Sequence, residues 1–422
     1  MTSRIRAAGF PEEEIRARAR AAAAGIFPGK ADYGNSVFGA AGRGSGDLLE
    51  EALLVPPVFM PERLQRLIEL GREPTHEDVD LTTVIGGLRS PLPLFVCAFG
   101  STQVVGTGLG STLSRQAGRI GIPLVIGENV APVNGYSTPN DGAYSTLIER
   151  IGAYSETVAD GIGGVAVQQS TEDADAEVWN LVYSDPASAP LLRTGRLVFE
   201  LKVGQGAKPG LGGMTMVGTA EAARLSSLYG TAEVHDGAST LRWASPGTFT
   251  EEILRHQVRM MRNNFPMART WVKLPPGRDV AAAARVAWDA GADAVTVDGG
   301  EGGSGWAPTS FLEHVGLPLG ECLMRIRPRS SCLLASGRIW EGARAVKCLA
   351  LGARAAGLGR AALLAANEDC NDGLVSLVAG IELEMRMLIS ALGKYAPNAL
   401  CTEDLFFPAN DGRCPFADQR AR

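Results

Sequence analysis

Short apolar runs recur along the chain from about residue 92 and alternate with stretches of helical periodicity. Eight of these runs are rich in β-branched or aliphatic residues, and glycine-rich loops follow them. They span residues 94–99, 123–127, 164–168, 197–203, 270–274, 294–298, 332–336 and 355–358. Near-continuous apolar strands that alternate with helices are typical of a parallel sheet covered on both faces. The pattern predicts an α/β fold, a closed (β/α)8 TIM barrel, with an open doubly wound sheet as the alternative.

The segments on either side of the barrel pattern are expected to be helical extensions. Residues 61–70 have the spacing of an amphipathic helix, and residues 374–392 carry apolar side chains around most of a helix. The second stretch contains three charged residues, which favours a packed core helix over a membrane span. We therefore divide the chain into an N-terminal helical and loop extension (1–90), the barrel (91–370) and a C-terminal helix and tail packing on the barrel (371–422).

The composition favours a globular protein without a nucleic-acid partner. The 422 residues include 40 Lys and Arg against 46 Asp and Glu, a net charge of −6, with no basic run. The start of the chain lacks the apolar core of a signal peptide, so we expect a cytoplasmic protein that does not associate with a membrane. The seven cysteines and four histidines show no metal-ligand spacing, which predicts reduced thiols and no metal site.

Glycine-rich segments follow the last two predicted strands. The segments are Ser336-Gly337-Arg338 after the seventh strand and Gly357-Leu358-Gly359-Arg360 at the eighth. Barrel enzymes place their active sites at the carboxyl ends of the strands and often bind phosphate at these two loops. Glycines there let backbone N–H groups approach an anion in front of a helix. The pattern predicts a phosphate-bearing ligand; the alternative is that the glycines only permit tight turns.

Charged side chains end the fifth and sixth predicted strands. Lys273 closes an apolar strand, where it is expected to point into the barrel mouth and to stabilise negative charge on a ligand. The alternative is a lysine that extends past the strand end into solvent. Asp298 ends the next strand, and a loop rich in glycine with Glu301 at its centre follows it. Such a loop is either moulded around a ligand or a flexible surface loop.

Polar residues also follow the second, third and fourth predicted strands. The loop after the fourth strand combines Lys202, Gln205 and Lys208 with five glycines, which indicates recognition of a carboxylate or carbonyl group. Asn129 and Gln169 supply amides suited to the edge of a heterocycle. A buried amide of this kind is often only structural.

Several of these segments resemble one family. Residues 204–213 (GQGAKPGLGG) resemble the QGAKPGxGG segment of the flavin-binding domain of glutamate synthase. Residues 298–308 (DGGEGGSGWAP) resemble its SGHDGGTGASP loop, with Glu301 in the place of the acid. Ser336-Gly-Arg and residues 357–363 (GLGRAAL) are similar to its DGGLRTG and FGFGTAAL segments. The resemblance extends from about residue 47 to 400.

The resemblance implies a barrel that binds FMN. The implied cofactor-binding residues are Gly100, Ser101, Asn129, Gln169, Lys273, Ser336, Gly337, Arg338, Gly357, Gly359 and Arg360. The phosphate would sit at the last two strands, and Lys273 would lie near the isoalloxazine ring. The implied substrate-side residues are Lys208, Gln205 and Ser304, with Glu301 facing the same space.

The chain also departs from the family at segments that serve glutamate synthesis. The NTGEGG segment after the second strand is replaced here, so its acid is missing, and the SGRFG segment after the third strand has lost its arginine. The cysteine triplet that ligates the family's iron–sulfur cluster is absent, and no amidotransferase domain fits the sequence. Full glutamine-dependent glutamate synthesis by this chain alone is therefore not expected.

The sequence and the resemblance together predict an FMN-dependent oxidoreductase. It would transfer a hydride between the flavin and a small amino-acid-like amine or imine, with Lys273 stabilising the reduced ring and Glu301 or Asp298 as acid or base. One alternative is a flavin subunit that works only with an electron-donor or amidotransferase partner chain. The others are hydroxy-acid oxidation, a redox-neutral isomerisation, or a flavin-free phosphosugar-type barrel enzyme. A homo-oligomer is also compatible with the sequence.

Overall fold

The fold is a closed parallel barrel surrounded by helices. The computed structural model describes residues 28–39, 47–100, 108–128, 142–170, 177–227, 229–235, 239–326 and 331–408. The barrel strands are β1 (Leu94–Phe99), β2 (Leu124–Ile126), β3 (Val165–Gln169), β4 (Leu197–Lys202), β5 (Arg269–Leu274), β6 (Ala294–Asp298), β7 (Leu333–Ile339) and β8 (Ala355–Leu358). Each strand pairs in parallel with the next, and β8 pairs with β1. This closure leaves no free sheet edge and excludes the open doubly wound alternative.

Helices connect the strands and cover the outside of the barrel. In the described part of the chain they are α1 (Leu48–Glu51), α2 (Pro61–Leu70), α3 (Leu109–Ile120), α4 (Gly142–Ser155), α5 (Val178–Ser184), α6 (Ala189–Arg193), α7 (Thr219–Leu225), α8 (Glu251–Asn264), α9 (Val280–Asp289), α10 (Thr309–His314), α11 (Leu319–Ile326), α12 (Gly342–Ala350), α13 (Arg360–Glu368) and α14 (Gly373–Ala391). Short 3₁₀ helices occur at Lys30–Asp32, His76–Asp78, Pro397–Ala399 and Thr402–Asp404.

The strand pleat divides the barrel core into two layers, because successive side chains point to opposite faces. Phe95 and Trp271 belong to a buried cluster inside the lumen. Val96 and Val272, one position further along the same strands, belong to the main core between the strands and the helices. The near-continuous apolar character of the strands follows from burial on both faces.

A hairpin closes the amino-terminal end of the barrel. Thr83–Ile85 pairs antiparallel with Leu88–Ser90, and apolar side chains of both strands join the lumen cluster. Trp271 Nε1 donates a hydrogen bond to the carbonyl of Gly86 at 3.1 Å. Ligands therefore have access from the opposite end, where the strands terminate.

A small antiparallel sheet is inserted between β4 and β5. Its strands are Met214–Gly218, Gly230–Ala232 and Ser239–Trp243. Trp306, in the loop after β6, is fully buried against this sheet and contacts the Tyr33 ring edge-on at 5.4 Å between centroids. In the same region Phe38–Gly39 pairs with Gly303–Ser304. A separate strand pair, Leu53–Leu54 with Leu405–Phe406, lies elsewhere on the surface. The loop after β6 is thus held by the insertion and by the N-terminal segment.

The predicted strands agree with the observed ones to within a few residues. The predicted C-terminal helix is α14, which packs on α3, α12 and α13 with its buried residues in the main core. None of the helices in the described ranges is long and apolar enough to cross a membrane. The domain boundaries at residues 90 and 370 stay a prediction.

Candidate active site

Lys273 and Asp298 form an ion pair at the carboxyl end of the lumen. Lys273 Nζ lies 2.9 Å from Asp298 Oδ2, and each side chain is only 9% exposed. Burial by itself would lower the pKa of Lys273, but the nearby charge of Asp298 raises that pKa above its ordinary value. The Lys273 side chain is therefore a permanent cation at the base of the barrel mouth.

The Asp298 carboxylate is engaged on both oxygens. Oδ1 accepts a hydrogen bond from Ser336 Oγ on the neighbouring strand, and Oδ2 accepts one from the Gly206 N–H at 3.2 Å as well as the Lys273 contact. A Cβ on Gly206 would lie 2.2 Å from the carbonyl oxygen of Gly299, so glycine alone permits this approach of the loops after β4 and β6. These contacts fix the position of Lys273.

A backbone cradle lies at the ends of β7 and β8. The pairing register shifts at Gly337 and Arg338, which form a bulge with φ values of 147° and 56°. Helix α13 begins at Arg360, and Gly359 before it provides no side-chain cap, so the first N–H groups of the helix have no intrahelical acceptor. A Cβ on Gly359 would meet no atom within 4 Å. A bulge, an uncapped helix start and open space together suit an anion.

Two guanidinium groups flank this cradle. Burial lowers the pKa of Arg360, and the positive charge of Arg338 lowers it further. Arg338 Nη1 lies 3.8 Å from Glu50, and Arg360 Nη2 donates to the Glu301 carbonyl at 2.7 Å. Repulsion between two adjacent cations at a helix start favours binding of a dianion such as phosphate.

Arg344 of α12 links three segments of the chain next to the cradle. Its side chain is 1% exposed; Nε donates to the Gly337 carbonyl at 3.1 Å, and Nη2 donates to Glu301 at 3.2 Å. Nη1 donates to Asp47 at 2.7 Å and to Glu50 at 3.1 Å. Burial would lower the pKa of Arg344, but the charge of Asp47 and, to a smaller extent, that of Glu301 raise it. One buried cation therefore connects the bulge in β7, the loop after β6 and the N-terminal segment.

The sequence predicts that Glu301 faces the substrate, whereas its carboxylate lies in this buried network. It accepts the N–H of Leu319 at 3.0 Å, at the start of α11, in addition to the Arg344 contact. Burial raises the pKa of Glu301, and the charge of Asp47 adds to the effect. Its partners are distant in sequence, so the composition of the loop did not reveal them. The geometry favours a structural role for this acid.

A second ion pair lies at the mouth, between the ends of β2 and β4. Lys202 Nζ contacts the Glu128 carboxylate and donates to Gln205 Oε1 at 2.8 Å. Burial would raise the pKa of Glu128, but the charge and hydrogen bond of Lys202 lower it below its ordinary value. Sequence reasoning did not select Glu128 as an acid, although its place directly after a predicted strand was a usable signal.

Two of the predicted substrate residues share one acceptor. Lys208 Nζ donates to the carbonyl oxygen of Trp306 at 2.9 Å, and Ser304 Oγ donates to the same oxygen at 3.1 Å. Lys208 is 3% exposed. The structure thus brings the loops after β4 and β6 together at the residues that the sequence selected on each.

The remaining predicted cofactor residues lie at strand ends or fall outside the described ranges. Gly100 follows β1 and Gly357 lies on β8, whereas Ser101 and Asn129 are outside the described residues. The side chains of Gln169 and Val167 point to the same face of β3, because residues two apart on a strand share a face. Val167 packs in the core between the strands and the helices, so Gln169 faces away from the lumen.

Gln168, one position earlier, faces the lumen and contacts an acid that sequence reasoning missed. Its Nε2 donates to Glu200 Oε1 at 2.6 Å, and Thr296 Oγ1 donates to Glu200 Oε2 at 3.1 Å. Glu200 is 1% exposed. A single acid between Phe199 and Leu201 of an apolar strand was the signal that could have identified it.

Metal ligation finds no support in the described part of the chain. No group of three His, Cys, Asp or Glu side chains there is arranged to hold a metal ion. All four histidines are described, and none lies on a barrel strand.

Comparison with known proteins gives one matching family and a set of partial relatives. A family model described as the conserved region in glutamate synthase matches residues 149–372, just over half of the chain. An archaeal glutamate synthase [NADPH] of Methanocaldococcus jannaschii is 32% identical over 176 residues, which cover 39% of this chain and 34% of that protein. A glutamate synthase large subunit-like protein of Rhizobium meliloti is 35% identical over 188 residues, covering 40% of each. The chain thus matches about a third to two fifths of the length of these relatives.

Solved structures share the architecture. A soluble mutant of the membrane-associated (S)-mandelate dehydrogenase from Pseudomonas putida superposes with a TM-score of 0.56 at 16% identity, over 94% of this chain and 99% of that one. At that identity the likeness establishes the barrel fold alone. The family match, which covers more than half of the sequence, goes further: this chain belongs to the family that carries the conserved region of glutamate synthase.

Proposed function

We propose that the chain binds FMN and is an oxidoreductase that acts on a small amino-acid-like amine or imine. The observation that carries the proposal is the cradle at the ends of β7 and β8, with Lys273 on the same face of the barrel. FMN has a terminal phosphate and a planar ring that is negatively charged when reduced. The chain offers an anion site and a buried cation for these two parts.

The fit of the phosphate rests on features that a simple turn does not need. Gly337 and Arg338 form the bulge, and Gly359 leaves open space before α13. Arg338 and Arg360 add two positive charges whose mutual repulsion a bound anion would reduce. These residues would hold the phosphate by backbone N–H groups and by charge.

Lys273 would stabilise negative charge beside the cradle. FMN, when bound, exchanges a hydride with a substrate carbon. The Asp298 carboxylate holds the Lys273 ammonium at 2.9 Å, and Ser336 holds Asp298 in turn. A fixed cation of this kind stabilises charge without reorganisation during the reaction. We assign Asp298 to positioning Lys273, since both of its oxygens already accept hydrogen bonds.

We assign proton transfer to Lys202 and Glu128, the second ion pair at the barrel mouth. Lys202 and Glu128 are in direct contact, and their side chains are 10% and 12% exposed. A lysine and a carboxylate that share a hydrogen bond can pass a proton to or from an amine nitrogen. Lys208 would orient a substrate carboxylate by its charge, with Gln205 and Ser304 nearby.

The substrate class rests on the family. Its relatives are named as glutamate synthases, and the chemistry of that name is an amination of an oxo acid. The name of the Methanocaldococcus jannaschii relative gives NADPH, so we propose NADPH as the first electron donor to test.

A second candidate function is supported by the length comparison. Because the chain matches only 34–40% of these relatives, it would serve as the flavin subunit of an assembly in which a partner chain supplies electrons or ammonia. Activity that appears only when a partner is added would favour this candidate.

The test is anaerobic reduction of the FMN-loaded protein by two panels of small molecules. We expect amino acids to bleach the flavin absorption and 2-hydroxy acids to leave it unchanged. The matched variant Lys202→Met should keep FMN but slow the bleaching, because it removes only the mouth cation. Reduction by hydroxy acids and not by amines would refute the assigned substrate class.

A further inference from the structure

The lumen contains one acid that the proposed function does not use. Glu200 lies on β4 with its carboxyl group inside the barrel and 1% of its surface exposed. Its hydrogen-bond partners are the Gln168 amide on β3 and the Thr296 hydroxyl on β6, and both are neutral. A hydroxyl group can donate to a carboxylate or accept from a protonated carboxyl group. Both hydrogen-bond partners of the buried Glu200 carboxyl are thus uncharged, so neither would neutralise an ionised Glu200.

The cations of the described lumen are already paired with other acids. Lys273 is paired with Asp298 at 2.9 Å, and Lys202 with Glu128. An ionised Glu200 would add a second carboxylate close to Lys273, whose charge Asp298 already compensates. Burial of an uncompensated charge is costly, and a carboxyl group in that position holds a proton instead.

We propose that Glu200 holds a proton inside the barrel and acts through Lys273 as a positioning residue, leaving the ammonium charge available to a ligand at the mouth. The groups that face Glu200 are Gln168 from β3, Lys273 from β5, Thr296 and Asp298 from β6, and Cys97 from β1. Ionisation releases one proton to solvent and breaks no covalent bond. The negative charge that remains then offsets the positive potential of Lys273.

The electrostatics of these groups agree with the proposal. Burial raises the pKa of Glu200. The Lys273 charge and the hydrogen bonds from Gln168 and Thr296 oppose this rise but do not cancel it. Burial also raises the pKa of the Cys97 thiol to about 12, so that thiol stays neutral. Glu200 is therefore the group in this cluster whose charge changes with pH.

The first test measures stability against pH in the purified protein, without reference to flavin. A carboxyl group whose folded pKa is raised stabilises the fold at low pH, and this contribution is lost as pH rises from about 4.5 through the folded pKa. Glu200→Gln is neutral throughout, so its unfolding constant relative to the native chain should change up to tenfold per pH unit in that window. Thr296→Val, which removes one hydrogen bond and no charge, should keep a pH-dependent stability and extend it to higher pH, because that hydrogen bond lowers the pKa of Glu200. A constant offset between Glu200→Gln and the native chain at every pH would overturn the proposal.

The second test rests on the proposed function and measures the reduction potential of the FMN-loaded protein against pH. Glu200→Gln and the native chain should have equal potentials at low pH. Above the folded pKa of Glu200 the ratio of reduced to oxidised FMN at a fixed potential should be higher in the variant. Failure to take up FMN would count against the proposed function, whereas the measurements of stability against pH would still test the proposal for Glu200. Bound FMN with potentials that coincide at all pH values would overturn the Glu200 proposal alone.

Discussion

Replacement of Arg344 by Met is expected to destabilise the fold strongly and to open the phosphate cradle. The Arg344 side chain is 1% exposed, and its ion-pair partners Asp47 and Glu301 are 4% and 8% exposed. Met is similar in length and apolar, so the change removes the charge with little loss of volume. The two carboxylates remain buried without their cation.

The size of the effect follows from that geometry. Removing one partner of a buried ion pair costs about 3–5 kcal/mol, because the other charge stays buried and uncompensated. The loss should be greatest near pH 8 and smaller near pH 5. Burial already raises the pKa of Glu301, and loss of the Arg344 cation raises that pKa further in the folded variant. Protonation of Glu301 therefore stabilises the folded variant at low pH, and the benefit is lost as pH rises.

Urea unfolding near pH 8 and near pH 5 measures the loss of stability. The amount of FMN bound per chain shows whether the cradle is still formed. Adding Asp47→Asn and Glu301→Gln to Arg344→Met removes the stranded charges and should restore most of the stability. FMN retention should stay low in the triple variant, since the Gly337 carbonyl still lacks its Arg344 donor. A loss below about 1 kcal/mol that is equal at both pH values would refute the assigned role of the network.

Three further substitutions test other parts of the site. Gly359→Asp should abolish FMN retention by placing a carboxylate beside the phosphate. Gly359→Asn, of equal size and uncharged, should retain more FMN; equal retention by the two variants would show that the phosphate binds elsewhere. Lys273→Ala should keep some FMN but slow its reduction strongly in stopped-flow traces, and unchanged rates would remove Lys273 from the mechanism. Glu301→Gln should lower the unfolding midpoint and leave the rate of flavin reduction nearly unchanged; a selective loss of rate would restore Glu301 as an acid or base.

The barrel could be predicted because its signal is local. Each strand is buried on both faces, so its apolar residues follow one another without interruption, and glycine-rich loops mark where each strand ends. The same locality explains why the sequence could place Lys273 and Asp298 at the ends of successive strands. Carboxyl ends of adjacent parallel strands must lie side by side once the sheet is known.

The role of Glu301 could not be predicted, because its partners come from elsewhere in the chain. Arg344 lies on a later helix and Leu319 starts another, and no spacing in the loop indicates either contact. Glu200 was missed for the opposite reason. Its strand looked uniformly apolar, and the pattern drew attention to the strand ends rather than to the acid inside one.

One difference from the family segments becomes intelligible only in the folded chain. The resembling segments carry Ser before the loop after β6 and Asp at the end of β7, whereas this chain has Asp298 and Ser336. The two positions are paired in register, and their side chains are hydrogen-bonded. This chain therefore has one carboxylate beside Lys273, and a serine from the neighbouring strand holds it.

The central claim is that the cradle at the ends of β7 and β8 binds the phosphate of FMN. Titration of the purified protein with FMN and, separately, with riboflavin tests it most directly, since the two differ only in that phosphate. The account predicts one FMN per chain with quenched flavin fluorescence, and much weaker binding of riboflavin. A colourless protein that takes up neither flavin, or one that binds both equally, would contradict it.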